Sequence, residues 1–157
     1  MKFLYSLILV GFASCNYFPC GWDSDLTTVK QTPSTDKLTG AYYPDQITKQ
    51  IIKGYDHVDS CFIHLDANGT ITYRNIPINT FDFEKASENK VYPIDGTGKW
   101  KADYKNGTAE LNVALVADSS FEGLNTAFRI YEKNGSPVIF IIVSDPDECL
   151  VARFVKQ

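Results

Sequence analysis

Histidine, methionine and tryptophan are scarce in this chain, at two, one and two among 157 residues. His57 and His64 stand seven apart, whereas two ligands on one strand face need i, i+2 spacing, so a zinc site is not expected. There is no Gly-x-Ser-x-Gly elbow, no Cys–His constellation and no glycine loop of the kind that cradles phosphate. Nucleophilic hydrolysis and nucleotide chemistry therefore lack their usual residues, and no carboxylate pair stands out for glycoside chemistry. The chain reads as a non-enzyme that needs neither cofactor nor metal. Basic residues also run short. Fifteen Lys+Arg face nineteen Asp+Glu, a formal net charge of -4, and no basic face forms that could neutralise nucleic-acid phosphates. Past the first fifteen residues no apolar run approaches the roughly 20 residues of a spanning helix. Of the four cysteines, at 15, 20, 61 and 149, none has the spacing of a zinc knuckle or redox pair.

What is present begins at the N-terminus. Lys2 is followed by an almost wholly apolar run, Phe3 to Phe12, and then by Ala13-Ser14-Cys15. One basic residue, a short apolar run and small residues ahead of a cleavage point are the parts of a secretory signal. The stretch resembles the lipobox of bacterial lipoproteins, with Phe12 in the place usually held by an aliphatic residue. The resemblance implies that residues 1–14 are a signal peptide and that Cys15 is acylated and becomes the mature N-terminus. The protein would then sit in the bacterial cell envelope, anchored by lipid to the outer membrane. Cleavage nearby by the general signal peptidase is the alternative. Residues 15–37, polar and interrupted by Pro19 and Pro33, read as a tether, and residues 38–157 as one domain of a size that suits a single core.

Aromatic residues make up 13% of the chain and tilt it toward sheet, because they fit a pleated, half-buried surface. Cys61, Ile63 and Leu65 alternate with Phe62 and His64, which predicts a strand with the latter pair facing outward. Asn68-Gly69, Asn106-Gly107 and Asn134-Gly135 each separate two alternating runs, and Asn-Gly supplies the positive φ that tight hairpins require. Asp145-Pro146-Asp147-Glu148 marks a fourth turn. With Gly40 to Tyr43 as the first strand, the pattern predicts an all-β fold, an antiparallel up-and-down barrel of about eight strands, whose closure removes exposed edges. Pro44 to Asp59 would hold a short helix around Ile47 to Ile52 or an irregular lid. The stretch from Ile76 to Gly98, with Phe81, Phe83, Val91 and Tyr92, reads as loop or partial strand. Val138 to Val143 is apolar on both faces, so either the tether, the Ile47 to Ile52 segment or a partner protein must cover its outer side.

The order Leu38-Thr39-Gly40-Ala41-Tyr42, Leu65-Asp66-Ala67-Asn68-Gly69, Asn75-Ile76-Pro77, Gly98-Lys99-Trp100 and Ser144-Asp145-Pro146-Asp147, with Phe154 and Lys156, resembles a group of small bacterial lipoproteins with a lipocalin-like β-barrel. It implies fold and compartment rather than an activity.

Tyr73, Trp100, Tyr104, Phe128 and Phe140 are the candidate lining of the barrel interior, either filling it or walling a cavity for a small apolar ligand. The function expected is a non-enzymatic binding role in the envelope, directed at such a hydrophobic ligand. The alternative is a protein-interaction module (inhibitor, immunity-type protein or envelope assembly factor) using the apolar outer face of Val138 to Val143. Asp66 to Ile71 does not place ligands as a calcium loop would. Asp145, Asp147 and Glu148 either hold calcium weakly or decorate a solvated turn. With Cys15 acylated, Cys61 with Cys149 is the expected disulfide, since both lie in the patterned domain. That pair needs a distorted first strand, because strands flanking a common neighbour lie about 10 Å apart while a disulfide wants Cα atoms within about 7 Å. Replacing Cys15 with Ala is expected to abolish fatty-acid labelling in cells and to release processed protein from the membrane fraction.

Overall fold

A computed structural model describes residues 21–52, 57–78, 92–117, 124–143 and 149–157. Among the described residues nine strands and three short helical segments follow one another: β1 (Thr27–Thr28), α1 (Thr35–Leu38), β2 (Gly40–Pro44), α2 (Gln46–Ile51), a 3-10 turn (Val58–Ser60), β3 (Phe62–Leu65), β4 (Thr70–Ile78), β5 (Tyr92–Lys105), β6 (Thr108–Ala117), β7 (Leu124–Lys133), β8 (Ser136–Ile142) and β9 (Val151–Lys156). From β2 to β9 each strand pairs antiparallel with the next, and β9 returns to β2 through Tyr42↔Lys156 and Pro44↔Phe154. The result is the closed eight-stranded up-and-down barrel that the hairpin pattern predicts. β1 is an extra strand, paired with β7 at Thr27↔Glu132 and Thr28↔Tyr131.

Local chemistry fixes the register. Asn106 and Gly107 have φ of 54° and 82°, Asn134 and Gly135 of 52° and 81°, so both dipeptides make the two-residue turn that matches strand twist. The first hairpin differs. There only Gly69 has positive φ, and the Gly69 amide donates to the Asp66 carbonyl at 3.0 Å. That turn holds four residues, 66–69, and uses Asn68 to accept from the Thr70 amide at 2.9 Å.

Alternation places Tyr42, Ile63, Leu65, Ile71, Leu111, Ile139 and Phe154 in the interior, each under 1% exposed. Burying one such side chain is worth about 1.5–3 kcal/mol. The lower end, where the three described hairpins turn, is plugged by Leu38 of α1. Beneath it the Tyr42 hydroxyl donates to the Leu38 carbonyl at 2.6 Å. At the upper end β2 finishes and β4–β5, β6–β7 and β8–β9 are connected. Residues 79–91, 118–123 and 144–148 fall outside the described residues, and with them Phe81, Phe83, Asp145, Asp147 and Glu148; residues 1–20, including Cys15, do so too. The Ile47 to Ile52 expectation is met by α2, capped by Asp45, whose carboxylate accepts from the Thr48 amide at 2.9 Å.

The stretch expected to be a tether is, from Gly21 onward, part of the folded domain. A turn at 21–26 lays Trp22 and Leu26 on Val138, Phe140, Val151 and Tyr131, the outward residues of β7–β9, with Ile51 of α2 beside them. The outer apolar face of β8 is thus covered from within the chain. The strap then pairs as β1, buries Val29 and crosses the lower end as α1.

Arg153 holds this strap. It points outward from β9 yet is 0% exposed. Its Nη1 donates to the Asp25 carboxylate at 2.7 Å and to the Trp22 carbonyl at 2.8 Å, and Nη2 to Asp25 at 3.0 Å. Asp45 Oδ2 lies 2.9 Å from Nη2, without hydrogen-bond alignment. The backbone at 153 is held as well: its amide donates to Thr48 Oγ1 at 2.7 Å and its carbonyl accepts from the Asp45 amide at 3.0 Å.

The expected disulfide between Cys61 and Cys149 is not formed. Cys61 is a buried thiol, its Sγ 2.7 Å from the Asn75 carbonyl, while Cys149 is disulfide-bonded to a partner outside the described residues. Register explains why. Tyr42 pairs with Ile63, and Pro44 with Phe154, so Cys61 stands level with Phe154 two strands away. Cys149 lies five residues beyond that level, about 17 Å along the strand, so no distortion of β2 could bring the pair together.

Two outcomes follow from the strap. The Arg153 guanidinium first, and Lys133 second, hold the Asp25 carboxyl well below the usual carboxylate range against the opposing effect of burial. A depressed pKa contributes stability that is complete above the unfolded value, about 4, and is lost as pH falls through the folded one. Asp25→Asn is therefore expected to flatten the acid limb of a urea-midpoint-against-pH curve, and an unchanged limb would contradict the pairing. Peptide mapping without reduction is expected to link Cys149 to a peptide from residues 1–20, with Cys61 alkylated only after unfolding.

Candidate functional site

The five aromatic residues selected from the sequence do not form one wall. Tyr73, Trp100 and Phe128 lie in the interior at 2%, 8% and 3% exposure. Phe140 and Tyr104 do not join them. On β8, Ile139 and Ile141 take the inner face, so parity turns Phe140 outward, opposite Arg129 and tilted against Tyr131 with ring centroids 5.3 Å apart. In a strand apolar on both faces, composition does not say which set is inner. Tyr104 shares the face of Trp100, but β5 runs past the core there and pairs only with the start of β6 (Tyr104↔Ala109), leaving Tyr104 37% exposed.

Trp100 is fastened at the lower end. Its indole Nε1 donates to the Asp66 carbonyl at 3.1 Å and its amide to the Gly69 carbonyl at 2.9 Å. This indole is a structural pin of the first hairpin, with its ring face in the core. Phe128 pairs across to Leu111.

Tyr73 differs from its neighbours. It sits opposite Gly96 of β5, and a Cβ at Gly96 would stand 2.6 Å from its hydroxyl and 2.6 Å from the Val116 carbonyl. Gly96, at φ 156°, is thus what lets the ring lie along the wall. Just above, Asn75 at φ 49° forms a bulge that shifts the register between Tyr73 and Ile76, returning Ile76 to the interior. The Asn75 side chain donates to Ser60 Oγ at 2.6 Å, and its amide donates to the Asp95 carboxylate. The 3-10 turn is in this way tied to the bulge above Tyr73.

The Tyr73 hydroxyl itself is buried and has no hydrogen-bond partner among the described residues. Burial, then the nearby Asp95 charge, pushes its pKa up, so the group is a neutral donor and acceptor at physiological pH. Tyr42, the other deeply buried tyrosine, is satisfied by Leu38 and is also pushed up by burial. An apolar wall with one unanswered hydroxyl can bind a molecule that is mostly apolar and carries one polar atom.

His64 faces outward and half-buried, with Nε2 3.2 Å from Asp66 Oδ1, and Phe62 is half-buried beside it. No group of three or more His, Cys, Asp or Glu residues gathers at metal-binding distance among the described residues, and none of their helices is long and apolar enough to cross a membrane. Sequence reasoning passed over two residues, Arg153 and Gly96. A lone arginine inside Val151-Ala152-Arg153-Phe154-Val155 was a visible signal of a buried charge needing partners. Gly96 carried no signal without the register.

Comparison of the chain with models of protein families, with curated proteins and with solved structures finds no match.

Tyr73→Phe removes a buried hydroxyl that no described residue satisfies. It is expected to leave the urea midpoint unchanged or to raise stability by about 1 kcal/mol. A loss of that size would show that the hydroxyl has a partner within the protein.

Proposed function

We propose that this protein is a lipid-anchored lipoprotein of the bacterial envelope whose barrel binds a small apolar molecule, with Tyr73 bonding its one polar atom. The observation that carries the reading is the Tyr73 hydroxyl, buried beneath the Asn75 bulge in an aromatic and aliphatic wall and without a hydrogen-bond partner among the described residues. A buried polar group left unmatched costs about 1–3 kcal/mol, which a ligand's polar atom would relieve. Tyr73, Trp100 and Phe128 supply aromatic surface on the inner wall. The outer face of β8, the surface a protein-interaction role would use, is occupied by Trp22, Leu26 and Ile51, and this favours the interior. The resemblance to lipocalin-like bacterial lipoproteins supports the same reading, as does the lipobox pattern ending at Cys15. The role is binding and not catalysis.

Native mass spectrometry on the full chain, extracted from the envelope in mild detergent, tests the reading. The expected result is a bound mass in the range of a small lipid, released on unfolding. The same material should displace a hydrophobic fluorescent probe, and Tyr73→Phe should weaken its binding up to about tenfold, the equivalent of one hydrogen bond. Recovery of only the lipidated polypeptide, with no probe displacement, would contradict it.

A further inference from the structure

The course of the strap has a consequence for how the molecule sits on a membrane. The Trp22 indole Nε1 donates to the Cys149 carbonyl at 3.0 Å, and Cys149 lies two residues ahead of Val151, where β9 begins at the upper end. From there the strap descends the outside of the barrel. Asp25 meets Arg153 in the middle of β9, Thr27 pairs with Glu132 near the foot of β7, and α1 crosses the lower end. The described chain therefore enters the fold at the upper end, opposite the Leu38 plug. Cys149 is disulfide-bonded and Cys61 is a buried thiol.

Lengths decide the orientation. Cys15 to Gly21 is six residues, a reach of at most about 20 Å. A ten-residue strand such as β7, tilted by about 40°, rises about 25 Å. An acyl chain fixed at Cys15 cannot therefore reach a bilayer lying against the lower end. We infer that the barrel stands with its upper end, the end of Trp22, Cys149 and α2, against the lipid surface, and its plugged lower end away from it. This rests on acylation of Cys15, part of the reading above, and extends it by fixing which end of the barrel meets the lipid.

Lysine reactivity reads the orientation on the unaltered protein. Lys49, on α2, marks the upper end. Lys105, in the β5–β6 hairpin, marks the lower end, and Lys30, just past β1, marks the lower part of the strap; all three are exposed. The acylated full chain is placed in phosphatidylethanolamine–phosphatidylglycerol vesicles or in detergent, treated with a water-soluble amine reagent and mapped by mass spectrometry, with the N-terminal peptide analysed in the same run. The expected result is loss of Lys49 labelling on vesicles relative to detergent, with Lys30 and Lys105 unchanged. Acylated protein with Lys105 protected, with Lys30 protected alongside Lys49, or with no lysine protected would overturn the orientation and leave the anchor intact. An N-terminal peptide without fatty acid would overturn the anchor, and the orientation with it.

Discussion

A guanidinium at 0% exposure on the outer wall of a barrel is the constraint around which the rest of this structure is arranged. Leaving such a charge buried and unpaired costs several kcal/mol, so whatever covers Arg153 must also neutralise it. The strap does both. Asp25 supplies a two-point carboxylate, Trp22 a carbonyl, and Trp22 and Leu26 the apolar cover over the outward residues of β7–β9. On the other side Asp45 and Thr48 tie α2 to the same residue. One strand position thus joins the N-terminal segment, the end of β2 and the last strand, where the barrel closes.

The periodic part of the fold was legible in the sequence. Alternation and Asn-Gly dipeptides are local signals, and they gave eight strands in up-and-down order with two of the three Asn-Gly turns in the expected form. The two-faced apolar run at Val138 to Val143 correctly demanded a cover. What stayed hidden depends on register or on distant partners. The Asn75 bulge moves Ile76 onto the inner face with no compositional mark except an asparagine. The strap, polar and interrupted by proline, reads as a linker because its two apolar anchors, Trp22 and Leu26, are too few to make a pattern. The disulfide expectation failed for the same reason: alternation puts Cys61 and Cys149 beside strands that flank β2, but gives no sign that they stand at different heights.

The short motifs that suggested a lipocalin-like barrel have structural work in this chain. Leu38 plugs the lower end and accepts from Tyr42; Asp66 and Gly69 receive Trp100; Asn75 makes the bulge; Lys156 donates to the Lys37 carbonyl at 2.9 Å. Residues of this kind report how a barrel is shut and registered. That is why sequence pointed to a fold more firmly than to a role. The candidate site is a by-product of the same register: the bulge above Tyr73 and the missing Cβ at Gly96 lay the ring along the wall and leave its hydroxyl without a partner among the described residues.

The central claim is that residues 21–38 are a structural part of the barrel, fastened through Arg153, and not a linker. Native-state hydrogen exchange of the amides at Leu26 and along β1 tests it most directly. The account predicts that they exchange as slowly as amides of β7 and β9, and that Arg153→Met selectively speeds their exchange while the β4–β6 hairpins stay protected. Exchange of residues 21–28 at the rate of unfolded chain in the unsubstituted protein would contradict it.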